Sequence, residues 1–95
     1  MNPYTTMKPL NKPIPFRGGQ LSVQASEFHY CSPKNDEGPY FSFEVAFMKD
    51  DKFLPIPELA PHTDDVYGYV PANEVFSLLE SDGYKPSEIK NLLPK

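Results

Sequence analysis

Leu21, Val23 and Ala25 alternate with Ser22, Gln24 and Ser26, the period-two pattern of a half-buried strand. The pattern is stronger from Tyr40 to Met48. There Phe41, Phe43, Val45 and Phe47 share one face, and Tyr40, Ser42, Glu44, Ala46 and Met48 share the other. Lys49-Asp50-Asp51-Lys52 reads as a turn that returns the chain through Phe53 to Ile56. Pro55 and Pro57 confine that returning strand to an edge. Asp65 to Val70 predicts a further short strand, on which Tyr67 and Tyr69 point the same way.

The period then changes. Pro71 suits the first position of a helix, and Val75, Leu78 and Leu79 form an apolar stripe widened by Phe76. Gly83 supplies a left-handed cap. Lys85-Pro86-Ser87-Glu88 opens a second short helix carrying Ile89, Leu92 and Leu93, and Pro94 closes it. His29 to Gly38 is polar and broken by Pro33, Asn35, Asp36 and Gly38, so it reads as a loop. Strands followed by helices predict an α+β domain: a small antiparallel sheet of three to four strands with a C-terminal helix packed on it. Its predicted core is Leu21, Val23, Phe41, Phe43, Val45, Phe47, Val66, Val75, Leu78 and Leu79.

Ahead of that domain, Pro3, Pro9, Pro13 and Pro15 remove amide donors and bias the residues before them to extended backbone. Residues 1–19 are therefore expected to form an extended arm, with residues 20–95 as the single domain. Leu10, Ile14 and Phe16 are spaced to lie in a groove, either at the domain edge or on a partner.

Composition narrows the classes. The chain has 95 residues, with 9 basic and 13 acidic side chains and a net charge of −4. A mild acidic balance argues against direct nucleic-acid binding and against an anionic membrane surface, both of which need a basic face. Cys31 stands alone, so no intramolecular disulfide forms, and a reducing cytoplasm is the expected compartment. No apolar run has the length of a signal peptide or a membrane span.

Charge is unevenly placed. From Phe53 to Tyr84 there are Glu58, Asp64, Asp65, Glu74, Glu80 and Asp82, with no Lys or Arg between them. Such a stretch attracts a basic partner, although an ordinary solvated face has the same composition. Asp64, Asp65 and Glu74 with Tyr67 and Tyr69 make the better interface candidate, because tyrosine is enriched at contact surfaces.

The polar loop offers chemistry of another kind. His29 and Cys31 sit two apart, the minimal thiol–imidazole pair, yet no third group orients the histidine and no oxyanion-forming motif accompanies it. The plainer reading is a small buried cysteine at a strand end. His29, Cys31, His62 and Asp64 are together the residue types of a tetrahedral zinc site, but they lack the C-x-x-C knuckle. A small ligand held by His29, Tyr30, Cys31, Ser32, Asp36 and Tyr40 is a further alternative. No catalytic residue and no cofactor are expected.

Two stretches carry a resemblance. Phe28-His29-Tyr30-Cys31-Ser32-Pro33, with Asp36, Gly38-Pro39-Tyr40 and Glu44-Val45, is the first; Asp65-Val66-Tyr67-Gly68-Tyr69-Val70-Pro71 before a helix is the second. Together they resemble short bacteriophage and prophage accessory proteins. The resemblance covers about fifty central residues and brings no catalytic residue with it. It implies a protein that binds and disables a host protein in the host cytoplasm, such as one that handles nucleic acid or serves defence.

Overall fold

The computed structural model describes residues 10–26, 29–35, 38–59 and 66–94. They form five antiparallel strands followed by two helices: β1 (Ile14–Phe16), β2 (Gly19–Gln24), β3 (Ser42–Lys49), β4 (Lys52–Leu54), β5 (Val66–Pro71), α1 (Ala72–Ser81) and α2 (Pro86–Leu92). The protein is α+β, as the order of periodicities predicts. β3 is the central strand, with β2 along one side. β4 and β5 both pair with its other side, β4 opposite Phe47 to Lys49 and β5 opposite Ser42 to Ala46. They therefore lie end to end along one edge, and the chain between them makes an excursion before rejoining it. Ile56 and Leu59 from that excursion are buried in the core.

The expected arm is only partly an arm. Ile14–Phe16 is an edge strand, paired Ile14 to Leu21 and Phe16 to Gly19. Arg17 and Gly18 make the connection with φ of 47° and 76°, the type I′ pattern whose twist matches that of the strands. Pro15 is tolerated because β1 is an edge and Pro15 faces Gln20 at a position between the hydrogen-bonded pairs. Its outward carbonyl accepts a hydrogen bond from the Tyr84 hydroxyl. Ile14 and Phe16 are almost fully buried, and the Phe16 ring meets Phe47 edge-on at 5.5 Å. Farther back, the Gln24 side chain pairs with Asn11 as a strand would. Its Oε1 accepts from the Asn11 N–H at 2.8 Å and its Nε2 donates to the Asn11 carbonyl at 3.0 Å. Residues 1–9 lie outside the described residues.

Both helices pack on one face of the sheet. Val75, Leu78, Leu79, Ile89 and Leu93 join Leu21, Val23, Phe43, Val45, Phe47, Tyr67 and Val70 in a single core. Pro71 ends β5 and precedes the helix rather than opening it. Beyond α1, Gly83 (φ 95°) donates to the Glu80 carbonyl and Tyr84 to that of Leu79, a Schellman closure. The Lys85 N–H donates to Glu88 Oε1 at 2.9 Å and starts α2, with Pro86 at its first position. Two predicted core residues are outside. Phe41 precedes β3 and is 73% exposed, because the strand begins only at Ser42. Val66 pairs with Ala46, on the opposite face from Val45, and is exposed.

Candidate functional site

Among the described residues no helix packs on the second face of the sheet. Cross-strand register stacks Gln20, Met48 and Phe53 in one row and Ser22, Ala46 and Val66 in the next, with Gln24 beside Glu44. Phe53 and Val66 are exposed, and so is Leu10. Leu10, Met48, Phe53 and Val66 line a shallow trough of about 240 Å3 that also reaches Gln24, His29 and Glu44. Single exposed apolar side chains are ordinary, but several on one uncovered face mark a contact surface.

One end of this face is built by a bulge. Val45 pairs with Tyr67 and Phe43 with Val70, so Gly68 and Tyr69 together oppose Glu44. A bulge of this kind turns a side chain away from the alternation. Tyr69 takes φ 54° and is 52% exposed, while Tyr67, two residues earlier, is buried. Beside the bulge the loop after β2 crosses over the sheet. Tyr30 donates its N–H to Glu44 Oε2 at 2.9 Å and accepts the Tyr69 N–H on its carbonyl at 2.9 Å. Gly68 permits that approach: a Cβ there would stand 3.0 Å from the Tyr30 Cβ. The Tyr30 and Tyr69 rings lie 6.0 Å apart, and the Lys34 ammonium sits 5.2 Å over the Tyr30 ring. A half-exposed tyrosine pair of which one ring already attracts a cation results.

The sequence-predicted residues are not brought together as expected. Tyr67 leaves the interface set, because its ring is in the core and its hydroxyl accepts the Ile56 N–H at 3.0 Å. The assumption that Tyr67 and Tyr69 act alike fails at the bulge. Glu74 is exposed on α1 and lines a separate cleft with Glu58 and Ser77. Asp64 and Asp65 lie outside the described residues, as do His62 and Asp36. The loop candidates serve the fold. The Cys31 sulfur is buried, 3.3 Å and 3.4 Å from the Ser26 and Pro33 carbonyl oxygens, and His29 Nδ1 lies 2.6 Å from Ser26 Oγ. Tyr40 is buried and donates its hydroxyl to the Asn35 carbonyl. Ser32 bridges to Ser42 through backbone bonds. Tyr30 is the one exposed residue among the described members of this group. Among the described residues no cluster of three or more His, Cys, Asp and Glu could hold a metal.

Part of the acidic stretch is also spent internally. Arg17, at the tip of the β1–β2 turn, donates Nη1 to Glu58 Oε1 at 2.9 Å and Nη2 to Glu58 Oε2. Its N–H donates to Asp82 Oδ2 at 3.2 Å. The guanidinium hydrogen bond holds the Glu58 carboxyl below its ordinary range. Glu58 and Asp82 are therefore not free for a partner. The described helices include none long and apolar enough to cross a membrane. Comparison with known protein families, with curated proteins and with solved structures finds no match.

Two features of this face differ in role from the sequence expectation. Tyr30, named with the polar loop as a ligand contact, stands exposed beside Tyr69, and an aromatic next to a predicted strand end is itself a contact signal. Val66, expected in the core, and Phe53 both lie on the uncovered side. Counting outward from Val45 along the register puts both on that side, since Val66 pairs with Ala46 and Phe53 with Met48.

Proposed function

We propose that the protein is a small non-enzymatic binding protein that docks a basic surface of another protein on the uncovered sheet face, with Tyr69 and Tyr30 as anchors. The observation that carries this reading is Tyr69 itself, a bulky residue held at φ 54° and left half exposed. Strain of that kind persists where surrounding structure enforces it, and it concentrates at functional positions. The net charge of −4 favours a cationic partner. The resemblance to phage accessory proteins supports a host protein as that partner, one that handles nucleic acid or serves defence, met in the cytoplasm. Inhibition follows when the surface covered is the partner's own basic working face.

The ligand-loop alternative loses support because the Cys31 thiol and the Tyr40 hydroxyl already bond to backbone carbonyls. Affinity capture from host lysate with wild-type protein, Tyr69→Gly and Phe53→Ser tests the docking face. A specific partner should be retained by the wild type and lost by both variants, with retention falling as salt rises. Equal retention by folded Tyr69→Gly and Phe53→Ser proteins would sink this reading.

A further inference from the structure

On the helix side of the sheet a groove of about 530 Å3 opens between α1, the end of α2 and the start of β3. Tyr40, Phe43, Phe76 and Leu93 supply its walls, and Ala72 leaves the room. That volume falls within the range of small-molecule sites, which are mostly apolar with a few placed polar groups. Here the placed group is Lys90, the one charged residue among the described residues of the lining. Among the described residues the only ion pair is that of Arg17 with Glu58, so Lys90 has no carboxylate partner. A lysine stem lies along apolar surface while its ammonium stays at the water boundary.

We infer that this groove binds an amphipathic monoanion, an apolar body with one carboxylate head, the head at Lys90 and the body against Phe43, Phe76 and Leu93. Charge selects the class. A neutral hydrocarbon leaves the ammonium unused, and a cationic amphiphile meets repulsion at Lys90, the charged residue among the described lining. The groove shares no lining residue with the trough on the open face. Ligand binding and partner docking are thus separable in the full-length protein.

Dodecanoate, kept below its micelle concentration, is the probe, with dodecanol and dodecyltrimethylammonium as neutral and cationic counterparts. Calorimetric titration should give one-to-one binding of dodecanoate, weaker binding of dodecanol and weakest of the cation. Methyl NMR shifts should move at Ala72 and Leu93 and stay still at Val66. Lys90→Met keeps the stem and should weaken dodecanoate about fivefold, equivalent to ~1 kcal/mol for an exposed ion pair, and leave dodecanol unaffected. Ala72→Leu should fill the groove and remove both. Each variant's melting temperature is recorded to confirm that it is folded. Absence of saturable binding, equal affinity for the cationic amphiphile, shifts centred on Val66, or a folded Lys90→Met protein with wild-type affinity would each overturn the inference. None of those results depends on whether Tyr69 contacts a protein partner.

Discussion

Tyr69 and Tyr67 show how much two residues of one strand can differ when a bulge separates them. At φ 54° the Tyr69 backbone carries strain of about 1–3 kcal/mol that glycine would not. Tyr69→Gly is therefore expected to melt no lower than wild type, despite the lost ring contact with Tyr30, while partner binding disappears. A stability assay and a binding assay on the same preparation check both halves. Tyr67 is the opposite case, since its hydroxyl satisfies the Ile56 N–H. Tyr67→Phe should cost about 1–3 kcal/mol in urea unfolding, because that buried donor is left unpaired, and should leave binding unchanged. The alternation Val66-Tyr67-Gly68-Tyr69 concealed this difference, because period two assumes an unbroken ladder. Gly68 was the available clue, as an isolated glycine inside a strand often marks a bulge.

Elements with strong periodicity were legible from the sequence, and those built from turn geometry were not. β2, β3, α1 and α2 follow directly from Leu21-x-Val23, Phe43-x-Val45-x-Phe47, the Val75–Leu79 stripe and Lys85-Pro86-Ser87-Glu88. The β1–β2 hairpin was hidden by its prolines, although Ile14-x-Phe16, a two-residue turn ending at Gly18, and Leu21-x-Val23 make a mirror-like pattern around that turn. Phe16→Ala tests how far this edge belongs to the core. It should lower unfolding free energy by about 3–5 kcal/mol, whereas a residue of a free arm would change it little. The second hairpin contains avoidable strain. Asp50 and Asp51 both take positive φ, 53° and 62°, in the turn between β3 and β4. Asp51→Gly should accordingly raise stability by about 0.5–1 kcal/mol, read as a higher urea midpoint at unchanged slope.

At the scale of the whole molecule, Arg17 joins three parts that are distant in sequence: the hairpin tip, the excursion after β4 and the end of α1. It reaches Glu58 through both guanidinium nitrogens, Ser81 through Nη2 and Asp82 through its own N–H. The excursion begins and ends on the same edge of β3, and among the described residues this clamp adds to the burial of Ile56 and Leu59 and to the bond from the Ile56 N–H to the Tyr67 hydroxyl in tying it to the rest. Arg17 lowers the Glu58 pKa in the folded protein chiefly by its hydrogen bond, so the folded state holds fewer protons than the unfolded chain across the glutamate range. The sign follows from linkage: the contribution is present above the unfolded glutamate pKa and is lost as pH falls through the lower, folded value. Glu58 is nearly half exposed, with 46% of its side-chain surface accessible, so solvent screening limits the contribution to about 1 kcal/mol. Glu58→Gln should therefore be less stable than wild type at neutral pH by no more than that amount. The two proteins should converge in urea unfolding once pH lies below the carboxylate range. A constant gap across the whole acid titration would mean that Glu58 acts through packing against the excursion rather than through its charge.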